Sequence, residues 1–194
     1  MKLSVVTPTW ERHDLLIERC IPSVAAQTLH VEHVVVSDGP DPVLRERLAG
    51  MDVVYAEVDQ HYDDPIKVGA RARNRGLEVA SGDLIAYLDD DNDFRPHHML
   101  VLATALDVHQ DRDFAYSRMY RHGLGDEIGA DPPAYGQVDS SILMQRADTH
   151  LKFGWWPAPS EYCVDWQLVE AWVGAGATWV FVPEVTVDYY YVKR

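Results

Sequence analysis

The sequence predicts an α/β fold, a doubly wound and mostly parallel sheet with helices on both faces and a smaller mixed C-terminal part. Three observations carry that expectation. Short apolar runs alternate with helical patterns through the first half of the chain, which is how a parallel sheet with crossover helices reads. The runs are rich in β-branched residues and apolar on both faces, as buried central strands are. One of them, Leu84-Ile85-Ala86-Tyr87-Leu88, stops abruptly at Asp89-Asp90-Asp91-Asn92-Asp93. That places a block of carboxylates at a strand's C-terminal end, where open α/β sheets bind ligands.

Taken in order, Leu3 to Thr7 is a strand that ends at Pro8, because proline has no N–H for a ladder. Asp14 caps a segment with Leu16, Cys20 and Val24 at helical spacing, which Pro22 should kink or break. Val34-Val35-Val36 marks a second strand, closed by the turn chemistry of Asp38-Gly39-Pro40-Asp41-Pro42. A short helix from Val43 to Leu48, a strand from Asp52 to Val58 and a polar loop from Asp59 to Ile66 follow. The helix from Lys67 to Ala80 sets Val68, Ala72 and Val79 on one face, and Gly76 lets it lie close to the sheet. After the aspartates, Pro96 opens a helix carrying Met99, Leu100, Ala103 and Leu106, with His97 and His98 read as exposed, and Phe114 to Ser117 is a short strand.

The second half reads differently. Arg121 to Gln137 is a long Gly-, Pro- and Asp-rich loop, and Val138 to Met144 a strand. Leu151 to Pro159 is aromatic and broken by proline. Tyr162 to Val173 is an amphipathic helix, followed by strands at Thr178 to Val182 and Val185 to Tyr191. Trp166, Trp172 and Trp179 read as core. With no repeat, linker or low-complexity tract, a single domain over 1–194 is the expectation.

The totals exclude whole classes. A chain of 194 residues that is 47% hydrophobic is a folded globular protein, and its formal charge of −14 argues against a nucleic-acid or anionic-membrane binder. A nucleotide remains admissible, since local arginines and a metal invert the field. Cys20 and Cys163 lack metal-site spacing and read as reduced, half-buried thiols of a cytoplasmic protein. The N-terminus does not read as a signal peptide. No apolar run approaches the roughly 20 residues a membrane span needs.

Three adjacent aspartates repel one another, and a cation relieves that repulsion. Hard oxygen donors suit Mg²⁺ or Mn²⁺, with phosphates completing the shell. Parallel strands bring Thr7-Pro8-Thr9, Asp38-Gly39, the loop after Val58 and Asp89-Asp90-Asp91 to one edge. Arg71 and Asn74 share a helical face there, while Arg73 points nearly opposite to Arg71. Such an edge suits a nucleoside diphosphate. The chain has neither a P-loop nor a G-x-G-x-x-G fingerprint.

The ordered set Ser4-Val5-Val6-Thr7-Pro8-Thr9, Ser23-Val24-Ala25-Ala26-Gln27-Thr28, Val34-Val35-Val36-Ser37-Asp38-Gly39, Ala72-Arg73-Asn74-Arg75-Gly76-Leu77, Ala80-Ser81-Gly82-Asp83 and Ile85-Ala86-Tyr87-Leu88-Asp89-Asp90-Asp91 resembles the inverting glycosyltransferases of family 2, which have the GT-A fold. The resemblance covers the N-terminal half and is loose beyond it. It implies a metal-dependent transfer of a sugar from a nucleotide-sugar donor, UDP-linked in the best-known members. The receiving hydroxyl would belong to a glycan, a lipid-linked chain or another acceptor. It divides the chain into a nucleotide-binding half, 1–93, and an acceptor-binding half, 94–194. It implies donor contacts at Thr7, Pro8, Thr9, Glu11, Asp38, Arg71, Arg73, Asn74, Asp89 and Asp90, with Asp90 toward the ribose or sugar. Asp91 would bind the metal, Mn²⁺ or Mg²⁺, supported by Asp89. The catalytic base would be Asp165, within Cys163-Val164-Asp165-Trp166, with Glu161 as its alternate and Trp155 and Trp156 at the acceptor. The rival readings are a nucleotide-sugar-binding module without turnover and, on a related sheet, a sugar-nucleotidyltransferase.

Overall fold

The structure, a computed structural model, describes residues 1–61, 69–157 and 163–190. Its frame is a parallel quartet, β1 (Leu3–Thr9), β2 (Glu32–Ser37), β3 (Val54–Glu57) and β4 (Leu84–Tyr87), in the order β3-β2-β1-β4. Val5, Val6, Val34, Val35, Val36 and Ala86 show no exposed surface. Each fully buried valine is worth about 1.5–3 kcal/mol. This continuous burial is why the strands read as unbroken apolar runs.

Helices cover both faces of the quartet. On one face lie α1 (His13–Leu15), a π-helical turn (Leu16–Cys20) and α2 (Ile21–Ala25). Pro22 does not break this segment. It sits in the first turn of α2, and the wider π turn in front of it lets the helical path continue past the missing N–H. Next comes α3 (Pro42–Arg47), capped by the Asp41 carboxylate, which accepts from the Leu44 N–H at 2.8 Å. On the opposite face, α4 (Ala70–Val79) lies against β1. A Cβ on Gly76 would collide with the Val6 side chain, so that close approach requires glycine.

Beyond β4 the sheet becomes mixed. The later elements are β5 (Asp93–Phe94), α5 (His98–Val108), β6 (Phe114–His122), β7 (Asp126–Ile128), a 3₁₀ turn (Ser140–Ile142), β8 (Leu143–Arg146), α6 (Thr149–Phe153), α7 (Val164–Gly174) and β9 (Trp179–Tyr190). β8 pairs antiparallel with both β4 and β6, and β9 lies parallel to β6. Two antiparallel steps restore direction, so β6 and β9 end on the same edge as β1 and β4. One sheet therefore runs through both halves, in the order β3-β2-β1-β4-β8-β6-β9-β5 among the described residues.

Several expectations for the second half are corrected. The segment read as a long loop from Arg121 begins as strand and forms the β6–β7 hairpin, its register held by the Arg121–Asp126 ion pair. The two C-terminal strands are one, β9, because a bulge opposite Ser117 absorbs the residues around Pro183. The strand expected from Val138 starts only at Leu143, after the 3₁₀ turn that Asp139 caps. His98 is fully buried, stacked on Phe94 at 3.8 Å and hydrogen-bonded to Thr186 Oγ1 at 2.7 Å. Neither cysteine is half-buried, since Cys163 is exposed and Cys20 is fully buried beneath β1, and both are free thiols. No helix among the described residues is long and apolar enough to cross a membrane.

Candidate active site

The strand-end aspartates form a corner in which each carboxylate has its own partner. Asp89, 30% exposed at its side chain, receives Arg73 Nη2 at 2.5 Å. Asp90 is buried, its Oδ2 accepting from Thr9 Oγ1 at 2.7 Å and its Oδ1 from Arg12 Nη1 at 2.9 Å. Asp91 takes the other arm of the Arg12 guanidinium, and its backbone carbonyl accepts from Arg19 at 2.8 Å. Burial pushes the Asp90 carboxyl up to about 7, against the pull of Arg12 and Thr9 and with added repulsion from Asp91 and Asp89. Burial also raises Asp91, and Asp89 adds to it. The Asp90 carboxylate, expected toward the ribose or sugar, is engaged here by Thr9 and Arg12.

The second half meets this corner at Arg73. Its guanidinium is almost wholly buried, lies over the Trp156 ring at 4.8 Å and donates to Ser140 Oγ at 3.0 Å as well as to Asp89. Burial opposes the Arg73 charge, but Asp89, Asp165 and Asp139 together outweigh it. Asp165 stands in the first turn of α7, where the helix dipole favours a carboxylate. The Cys163 thiol lies 3.6 Å from Asp165 Oδ2, and burial raises the Asp165 carboxyl while Arg73 holds it down, with a smaller pull from Cys163 and Ser140. Asp139, which caps the 3₁₀ turn by accepting from the Ser141 N–H at 2.8 Å, is raised by burial and by Asp165. The two carboxyls titrate as a pair and hold a proton to higher pH than an ordinary carboxylate. A carboxylate in that setting is suited to accepting a hydroxyl proton.

The remaining expected donor residues fall in three places. Thr9 and Asp38 lie together at the strand ends, the Asp38 N–H donating to the Thr9 carbonyl at 2.9 Å. Burial raises the Asp38 carboxyl, and His61, 3.3 Å away and stacked on Trp10, opposes that rise. Arg71 reaches Asp59 Oδ1 at 2.6 Å, on the opposite side of α4 from Arg73. Together with Asn74 it lines a groove of about 620 Å³ between α4 and the end of β3. Thr7 is a residue of the interior. Its hydroxyl shares a 2.9 Å hydrogen bond with His33 Nε2 and lies 3.5 Å from Cys20 Sγ, two positions back from the strand end. Pro8 is buried, and Glu11 is exposed with φ of 52°.

Asn74 proves to be a clasp. Its amide donates to the Trp156 carbonyl at 3.1 Å and accepts from the Trp156 N–H at 3.0 Å, tying α4 to the second half. Trp156 is buried between Arg73 and the edge of Tyr87, so it forms the wall of the site and offers no free ring. Trp155 is 39% exposed and packs edge-on to His150. Glu161 lies outside the described residues. Sequence reasoning missed Arg12, Asp139 and Ser140 as site residues. The signal for Arg12 was the uncompensated acid it neutralises, and that for Asp139 was its Asp-Ser-Ser capping pattern.

Asp89 and Asp91 suit a divalent cation. Both are carboxylate donors on a strand-end loop, and Mg²⁺ is commonly held by one or two carboxylates with substrate phosphates and water. Among the described residues no group of three or more His, Cys, Asp or Glu side chains is arranged to hold a metal alone. Phosphate oxygens would have to complete the shell.

Residues 4–163 match the family model described as glycosyl transferase family 2. The chain is 30% identical over 182 residues to the uncharacterized glycosyltransferase YwdF of Bacillus subtilis, covering 87% of this chain and 66% of that protein. It is 35% identical over 102 residues to the succinoglycan biosynthesis protein ExoW of Rhizobium meliloti, covering 51% of this chain and 32% of that one. In three dimensions it superposes on S. aureus TarS 1-349 in complex with UDP-GlcNAc with a TM-score of 0.76 at 17% identity, covering 100% of this chain and 60% of TarS 1-349. At that identity the likeness shows the fold, which is GT-A. The chain spans between 32% and 66% of the length of these proteins.

Proposed function

From the premise that this chain belongs to glycosyl transferase family 2, we propose that it moves a sugar from a nucleoside-diphosphate donor, UDP-linked, to a hydroxyl acceptor. The transfer is a direct, inverting displacement assisted by Mn²⁺ or Mg²⁺. The observation that carries the reading is the meeting of Asp89, from the strand-end corner, and Asp165, from the second half, at the buried charge of Arg73. That juxtaposition supports a reading in which the strand-end edge takes the diphosphate and the neighbouring Asp165 carboxylate is the base. The UDP-GlcNAc bound to the TarS structure supports a UDP-linked donor, and the succinoglycan relative supports a glycan acceptor.

Thr9 and Asp38 would line the base and ribose, with the Asp38 carboxylate accepting a base N–H. Asp91 and Asp89 would hold the metal, which when bound neutralises charge on the departing diphosphate. Asp165 would take the acceptor's hydroxyl proton on a carboxylate oxygen as the acceptor oxygen attacks the anomeric carbon opposite the leaving group. Arg73 would keep Asp165 ionised enough to act, and Ser140 would orient it. Isothermal titration with UDP and Mn²⁺ tests the donor site. Binding by the wild type and its loss in Asp91→Ala is expected, and equal behaviour of the two proteins would refute it.

A further inference from the structure

Arg12 is the cation closest to the aspartate corner that the reaction outlined above leaves without a role. Its guanidinium spans Asp90 and Asp91, with one arm on each. The backbone brings it there deliberately. Glu11, just before it, adopts φ of 52°, in the left-handed region that non-glycine residues rarely enter, and turns the chain off the end of β1.

Two features distinguish this contact from the Arg73 contact. First, it is accessible, since the Arg12 side chain is 27% exposed whereas that of Arg73 is 7% exposed. Second, the corner does not depend on it. Thr9 independently holds Asp90, Arg19 holds the Asp91 backbone and Arg73 holds Asp89. The carboxylates would keep their places if Arg12 moved away.

We propose that Arg12 is the diphosphate-binding arginine of the donor site, stored on Asp90 and Asp91 until nucleotide and metal arrive. The inference rests on the donor site proposed above. A divalent ion on Asp91 would claim the carboxylate that Arg12 now neutralises, and two cations on one carboxylate repel. The guanidinium fork fits a phosphate with the same paired geometry as a carboxylate, so the incoming diphosphate supplies its next partner. Arg12 then has opposite effects on the two ligands. It competes with metal alone, and it assists metal and nucleotide together. A merely structural arginine would support both or neither.

The test is Mn²⁺ binding, read by electron paramagnetic resonance, followed by UDP titration at saturating Mn²⁺, on wild type, Arg12→Gln and Arg12→Lys. Melting curves establish that each variant is folded. In Arg12→Gln, Mn²⁺ alone should bind several-fold more tightly, because a competing charge is gone. UDP should bind about ten- to a hundredfold more weakly, the worth of a charged hydrogen bond. Arg12→Lys should fall between, and it carries the same pair of measurements if the glutamine variant does not fold. Weakening of both ligands to a similar degree, or no change in either, overturns the proposal. Failure of UDP to bind the wild type overturns the donor-site reading itself, and the metal-only comparison still reports whether Arg12 competes for the corner.

Discussion

The two halves of the sheet reach the same edge by different means. In the first, parallel strands end in step, and the side chains at their ends, Thr9, Asp38 and Asp89 to Asp91, are placed by the sheet itself. In the second, no strand end carries the chemistry. Asp139 and Ser140 come from a 3₁₀ turn, Trp156 from the segment after α6, and Asp165 from the start of α7. The β4–β8 ladder carries the sheet through both halves, and at the site they meet on one turn of α4, where Arg73 reaches Ser140, Trp156 and Asp89 while Asn74 clasps Trp156. The first half is thus a rigid ledge. In the second, the site residues lie off the shared sheet and are held to that ledge by a few polar contacts, and those contacts are where the site can be taken apart.

The strongest way to break the comparison is Arg73→Ala. It strands Asp89, Asp139 and Asp165 without their shared cation. Removing one partner of a buried charge cluster costs about 3–5 kcal/mol, so urea unfolding should show a loss of that order. Arg73→Lys should lose less. A loss below about 1 kcal/mol would mean that the halves do not depend on this joint.

A smaller effect sharpens the likeness between the halves. Each buries a neutral histidine against a hydroxyl, His33 on Thr7 at 2.9 Å and His98 on Thr186 at 2.7 Å. Burial lowers both to about 3. Between about 3 and 6.5 the unfolded chain binds a proton at each of these sites and the native chain does not. The stability these two histidines contribute is therefore fully present above about 6.5, the ordinary histidine value, and declines as the pH falls below it, by about 1.4 kcal/mol per pH unit for each, while the raised carboxyls of Asp90 and Asp139 act in the opposite direction over the same range. His98→Gln should remove one histidine's share, about 1.4 kcal/mol per pH unit, from the pH dependence of stability measured between pH 6 and pH 4.5. An unchanged slope would show that His98 does not contribute to it.

The difference between the halves also explains what the sequence could disclose. A parallel strand that ends in a carboxylate announces itself, because apolar burial and the polar end adjoin in the chain, as Leu84 to Asp91 shows. Alternation puts Thr7 and Thr9 on one face, yet only Thr9 reaches the edge. Two residues of strand span about 6.6 Å, and that depth places Thr7 under the sheet with Cys20 and His33. The Asp-Ser-Ser pattern shows Asp139 as a cap, but its place at the site, like those of Ser140 and Arg12, depends on contacts between residues tens of positions apart, which no local pattern displays. The same holds for β9, where the bulge opposite Ser117 lets one strand run past Pro183. Asp165 was singled out through family resemblance, and the structure sets it within the field of Arg73 at the start of α7.

The central claim is that donor binding resides in the first half and proton acceptance in the second. Asp165→Asn separates the two most directly when sugar transfer and UDP–Mn²⁺ affinity are measured on the same preparation. The account predicts affinity within a few-fold of wild type and turnover reduced by about 10²–10⁴, the usual contribution of a general base. Turnover that survives the substitution, or affinity that collapses with it, would contradict the division.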